Sequence, residues 1–131
     1  MTDVEFQQAV TAAVTSWANE RAGSPFRPVS FPDSTEAKCH DNAAAYAALH
    51  GGEVVHGFLI LRPANWPTVC VYAHSVVRAI GGELIDSSLT IEKLRGHTFF
   101  PLQAPVADFK AAALRHPQET RPVPSQGGAQ A

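Results

Sequence analysis

Two runs in the middle of the chain, EVVHGFLIL (53–61) and VCVYAHSVVRAI (69–80), restrict the possible folds more than any other part of it. Both are β-branched and apolar, and RPANWPT between them is a proline-bounded loop, so they read as consecutive strands. The second run is apolar at odd and even positions alike, as expected of a central strand covered on both faces. Gly81-Gly82 then turns the chain into a third short strand, ELID (83–86).

Helices precede these strands. Thr2-Asp3-Val4-Glu5 is a capping-box pattern, and Phe6, Val10, Val14 and Trp17 follow at helical spacing to form one apolar stripe. Gly23-Ser24-Pro25 ends that helix. Residues 24–35, with three prolines and several serines, read as a loop or extended connector. A second helix, alanine-rich, runs to His50 and is stopped by Gly51-Gly52. Its start has two candidates. Asp33-x-x-Glu36 is another capping box and would put Cys39 in the second turn, whereas a start near Lys38 would put it in the first.

Beyond the strands, Ser87 to Arg95 reads as a turn or short helix. HTFFPL reads as an edge strand ended by Pro101, and Ala107 to Leu114 as a short helix. The expected fold class is α+β, with N-terminal helices packed on a small antiparallel β-meander. One domain is expected over 1–115. Residues 116–131, polar and rich in Pro, Gly and Gln, are expected to form a disordered C-terminal tail.

The length of 131 residues suits one domain with its own core. Ten Lys+Arg against twelve Asp+Glu leave a net charge of −2, and no basic run occurs, which argues against nucleic acid or an anionic membrane as partner. No basic-then-apolar leader and no apolar run of membrane length is visible. The two cysteines, Cys39 and Cys70, make no disulfide framework, so free thiols in the cytoplasm are expected.

Few residues offer chemistry. There is no Gly-rich phosphate loop, G-x-S-x-G elbow or H-E-x-x-H. Cysteine is among the most buried residue types, so Cys39 taken alone reads as core. A nucleophilic cysteine needs partial thiolate character, a base within reach, and a group that orients the base. A helix N-terminus provides the first through its unpaired N–H groups. His74, isolated among β-branched residues, is the candidate base, and Asp86, closing the next strand, is the candidate orienter. Each has a plainer alternative: a core imidazole bonded to a carbonyl, and a turn-former capping Ser87-Ser88.

The hairpin decides whether these two residues meet. A two-residue Gly81-Gly82 loop would set Val77 opposite Asp86 and leave His74 and Asp86 on opposite faces. A five-residue loop over Arg78 to Gly82 would place them directly opposite. A three-residue loop with a left-handed glycine would place them diagonally on one face.

A cysteine at a helix start, a histidine in AHSVV and an aspartate closing GGELID resemble the transglutaminase-like branch of the papain-like cysteine hydrolase superfamily. Gly57-Phe58 is similar to that family's Gly-Trp pair. His40 stands where the family often has an aromatic residue, and Ser87-Ser88 where it often has Pro-Thr or Thr-Pro. The resemblance implies a papain-like core with Cys39 as nucleophile, His74 as general base and Asp86 as orienter. It also implies attack on an amide or thioester carbonyl of a peptide, protein or small acyl substrate through a thioester intermediate, with no cofactor.

Other residues are read around this set. Asn42, one turn beyond Cys39, is either a substrate or oxyanion contact or an ordinary first-turn polar residue. Trp66 either walls the cleft or caps the sheet edge. His40 points about 100° away from Cys39 and reads as a surface residue whose positive form would depress the thiol pKa. Cys70 reads as core. Two further function classes fit the same residues. One is a non-catalytic binding module using Gly57-Phe58, Trp66 and Tyr72 as its groove. The other is a zinc site drawn from Cys39, His40, His50, His56 and His74, whose spacings match no usual zinc pattern, so no metal is expected. The chain is short for a protease with an extended cleft, so a partner protein or a homodimer would supply one wall.

Overall fold

The computed structural model describes residues 1–20, 23–31, 38–88, 97–102 and 108–124. Among these, three helices accompany a six-stranded sheet, an α+β architecture. Helix α1 spans Asp3–Asn19. It begins at a complete capping box: the Glu5 N–H donates to Thr2 Oγ1 (3.1 Å) and the Thr2 N–H to Glu5 Oε1 (2.8 Å). Its apolar stripe, Phe6, Val10, Val14 and Trp17 with Ala13 and Ala18, is buried against the sheet.

Strand β1 is Phe26–Pro28 and helix α2 is Cys39–His50. Strands β2, Glu53–Leu61, and β3, Thr68–Arg78, form the long central hairpin. The remaining elements are β4 (Leu84–Asp86), β5 (Thr98–Pro101), helix α3 (Phe109–Arg115) and β6 (Gln118–Pro122). The strand order is β1-β4-β3-β2-β5, with β6 also on β3. Both sheet faces bury β3 side chains, as its apolar composition at both parities requires. Val69, Val71 and Val77 face the helices, and Cys70, His74 and Val76 face the other way. Helices α1 and α3 cover Phe58, Ile60, Val69, Val71 and Phe100, while α2 lays Ala43 on Val77 and Ile85 farther along the same face. The second face buries Leu59, Val76, Leu84 and Phe99.

Three expectations need correction. The connector 24–35 is not all loop, because β1 pairs with β4 in parallel and Phe26 packs on Phe99 at 5.8 Å between ring centroids. Arg27 reinforces that pairing with a two-pronged ion pair to Glu83 (3.0 and 2.9 Å). The sheet is consequently more than a meander. β5 is the edge strand expected from HTFFPL and ends at Pro101; it pairs with β2 on the side away from β3, with Phe58 opposite Phe100.

The third correction concerns the expected tail. Residues 118–122 are a strand, pairing Thr68↔Pro122 through Tyr72↔Gln118 on β3. Its composition hides it: the half-buried positions are Glu119 and Arg121, an ion pair (2.9 Å) with Arg121 also bonded to Gln7. Backbone pairing along an exposed sheet edge holds such a strand without an apolar face. His116 is packed as well, stacked on Phe6 with ring centroids 5.3 Å apart. The paired chain thus reaches Val123, whose N–H bonds Pro67 O (2.9 Å), and residues 125–131 lie outside the described set. So do most of the expected turn or short helix at 87–95, the first residue of the helix expected at 107–114, and the Asp33–Glu36 box.

One feature of the sheet positions the site. β4 and β6 share a single edge of β3, end to end. β6 pairs as far as Tyr72 and β4 begins at Val77, so residues 73–76 face the gap between them. Among the described residues, no helix is long and apolar enough to cross a membrane.

Candidate active site

Helix α2 begins at Cys39 itself. Lys38 precedes it in a non-helical conformation (φ −126°, ψ 52°) with no side-chain cap, and the Asn42 N–H makes the first helical bond to Lys38 O (2.9 Å). The thiol therefore lies in the first turn, among N–H groups that lack helical partners and beside the positive end of the helix dipole.

The hairpin that carries the other two residues has a three-residue loop. Arg78 pairs with Leu84, the Ala79 N–H bonds Glu83 O (2.8 Å), and Ile80-Gly81-Gly82 close the turn with Gly82 at φ +94°. Extending this register puts Asp86 opposite Val76, hence diagonal to His74 on the same face. The side chains meet: His74 Nε2 lies 2.6 Å from Asp86 Oδ2, and both are buried. The other carboxylate oxygen accepts the Ser88 N–H (2.8 Å), which fixes the carboxylate in turn. With Nε2 committed to Asp86, Nδ1 is the nitrogen left for the thiol.

Two imidazoles, His40 and His74, act on the Cys39 thiol. Burial pushes the Cys39 thiol up, but the hydrogen bonds from His40 and His74, and their positive charge, outweigh it and bring the pKa from 9.0 to about 6. Burial pushes His74 down, and here the bonds and negative charge of Asp86 and Cys39 prevail, raising it from 6.5 to about 9. Between about pH 6 and 9 the favoured state is thus a thiolate–imidazolium pair.

The walls around His74 are tight. Gly57 lies directly opposite it on β2, and a Cβ there would sit 2.4 Å from Phe100 O and 2.8 Å from the Phe99 ring. Glycine at this position lets Phe99 close over the site, edge-on to His74 at 6.3 Å.

His40 differs from its expected surface position. Its ring points toward the sheet, where Nδ1 is 2.5 Å from Ser75 Oγ, and His56 Nδ1 is 2.7 Å from the same oxygen. Ser75 is buried, and the His56 ring stacks on Phe109 at 4.9 Å. Sequence reasoning passed over Ser75 and treated His56 only as a loose zinc ligand. Their direct pairing across the β2–β3 hairpin was the available signal.

Asn42 is buried, and its Nδ2 donates to Ser88 Oγ (3.0 Å), tying α2 to the turn that follows Asp86. Trp66 is not brought to the site. It is exposed in the β2–β3 turn, and β3 then runs six residues from Thr68 to His74, about 20 Å. The turn is held by its own bonds, Trp66 N–H to Pro63 O (3.0 Å) and Arg62 Nε to Trp66 O (2.9 Å). Cys70 is buried on the same strand face as His74, four residues or about 13 Å away. Among the described residues, no group of three or more His, Cys, Asp or Glu side chains is arranged to hold a metal ion.

Neither a family model, nor a curated protein, nor a solved structure matches this chain.

Proposed function

We propose that the protein is a small cysteine-dependent hydrolase or acyl transferase of the transglutaminase-like type. The observation that carries this is the buried His74–Asp86 hydrogen bond (2.6 Å), together with Cys39 at the start of α2 and its thiol pKa lowered by His40 and His74. Cys39 thiolate attacks the carbonyl carbon of an amide or thioester in a peptide, protein or small acyl substrate. The oxyanion is met by N–H groups of the first turn of α2, beginning with that of Cys39. His74, protonated, passes its Nδ1 proton to the leaving group and leaves a thioester on Cys39. Neutral His74 then activates water or an amine for the second step, and Asp86 keeps the ring in one tautomer throughout. Asn42 supports the arrangement by fixing the Ser88 turn against α2.

The test uses a small thioester acyl donor and, separately, iodoacetamide at pH 6, with the modified cysteine mapped by peptide mass spectrometry. Cys39 is expected to react first with both reagents, and acylated Cys39 to discharge to water or to an added primary amine. Equal, slow modification of Cys39 and Cys70 overturns the proposal.

A further inference from the structure

The Cys39 sulfur has two imidazole neighbours, and the Cys-His-Asp scheme uses only one. His40 lies with Ser75 on the helix-covered face of the sheet and His74 with Asp86 on the other, and both act on the Cys39 thiol through hydrogen bonding and charge. His40 is anchored as deliberately as His74. Its Nδ1 contacts the buried Ser75 hydroxyl, which also contacts His56 Nδ1, and the ring edge meets Phe109 at 5.8 Å.

We infer that His40 is a second catalytic imidazole for Cys39, held in one orientation by Ser75 and His56 as His74 is held by Asp86. The inference rests on the thiolate chemistry proposed above.

The proton inventory of the chain supports it. Ser75 has one hydroxyl proton and two imidazole neighbours, so it donates to one and accepts from the other. When His40 is an imidazolium, its Nδ1–H donates to Ser75 Oγ, and the Ser75 proton goes to His56 Nδ1. This requires a neutral His56. Burial beside Phe109, and then the positive charge of His40, push its pKa below the usual imidazole value. His40 Nε2 is then the nitrogen left for sulfur. It donates its proton to the thiolate, or gives it up and accepts the S–H, without changing the Ser75 bond. The proton that sulfur loses is the one Nε2 gains, and no electrons are transferred.

The two orienters differ in charge. Asp86 is an anion and favours a protonated His74, whereas the Ser75 hydroxyl and the His56 ring place no carboxylate against His40. Among the described residues, the other charged groups facing this region are Lys38 at the N-cap of α2, Asp41 on α2, paired with Lys110 of α3, and Asp86 on β4.

The experiment follows the pH dependence of iodoacetamide alkylation at Cys39 in the full chain, for His40→Asn, His74→Ala, the double variant, Ser75→Ala and Ser75→Thr. His40→Asn is expected to raise the acid-limb midpoint by about one unit. His74→Ala should retain a midpoint below that of a free thiol, and the double variant should lose that remainder. Ser75→Ala should shift the midpoint in the same direction as His40→Asn, and Ser75→Thr, which keeps the hydroxyl, should restore it. A packing defect alone moves the thermal melt and leaves the midpoint in place. An unchanged midpoint in His40→Asn, with a raised one in His74→Ala, overturns the second imidazole and leaves the proposed function standing. A midpoint that neither variant moves overturns both.

Discussion

Replacing Asp86 by asparagine keeps the shape of a fully buried side chain and removes its charge 2.6 Å from His74. The hydrogen bond of Asp86 is the largest of the effects that lift His74 above its ordinary pKa, ahead of the bond to Cys39 and the charges of both; without Asp86, burial is opposed by Cys39 alone and the His74 pKa falls. Cys39 then loses its main counter-charge. In the limit where the whole depression from 9.0 to about 6 is lost, the thiolate fraction at pH 6 falls from about one half to about one in a thousand. Nucleophilicity moves the other way, because a thiolate of higher pKa is more reactive. With a Brønsted coefficient of about 0.45, three pKa units are worth roughly twentyfold. In that limit alkylation by iodoacetamide is about twentyfold slower than wild type at pH 6 and about fourfold slower at pH 7, and His40, which the substitution leaves in place, makes the loss smaller than this bound. The two curves cross at roughly pH 7.7, above which the variant reacts faster. The sign is fixed by direction: a lowered thiol pKa gives a thiolate advantage that exists above about pH 6 and disappears as the free-thiol pKa is approached. The assay is the second-order rate at Cys39 from pH 5 to 9, read by peptide mass spectrometry. Curves displaced by a constant factor at every pH, with no crossing, would refute the reasoning, since altered access or partial unfolding slows both limbs equally.

Other outcomes follow from packing and backbone geometry. Gly57→Ala puts a methyl 2.4 Å from Phe100 O and 2.7 Å from Pro101 Cα, so urea denaturation should show a loss of about 1–3 kcal/mol. Gly82→Ala meets no atom within 4 Å but must hold φ +94°, and should cost about 1 kcal/mol, whereas Gly81→Ala, also in open space, should be near neutral. Truncation after Arg115 removes β6 and the His116 ring on Phe6, leaving the 68–72 edge of β3 unpaired. A lower urea midpoint and concentration-dependent aggregation, measured by light scattering, are expected; an unchanged midpoint would restore the disordered-tail view of that segment.

The parts of the fold legible in the sequence are those whose pattern is local. β2 and β3 declare themselves by β-branched runs, and α1 by its capping box and stripe, because each element's own composition states which face is buried. β1 and β6 do not. One is a three-residue strand containing a proline and the other has charged residues at its inward positions, so both exist through backbone pairing with distant partners. The meeting of His74 and Asp86 was legible as a condition on loop length, and the three-residue loop meets it. The His40–Ser75 contact was not legible. It depends on which face α2 presents at its first turn, and that is decided by packing against β3 rather than by helical periodicity.

The Ile80–Gly82 loop imposes an unusual rule on variation in this chain. Ile80 is 84% exposed and the two glycines have open space around them, so in side-chain terms this is among the least constrained stretches of the molecule. Ordinary reasoning would choose it for an insertion tag or a fusion junction. Its length, however, is counted in parity. Adding or removing one residue would leave the strands and both faces of the core available for pairing, while sending the Asp86 carboxylate to the wrong side of the sheet. Descendants of this sequence are therefore free to change Ile80 and Gly81 and to lengthen the loop in twos, while the left-handed backbone of Gly82 favours keeping glycine there. An odd change would yield a folded protein with the carboxylate out of reach of His74.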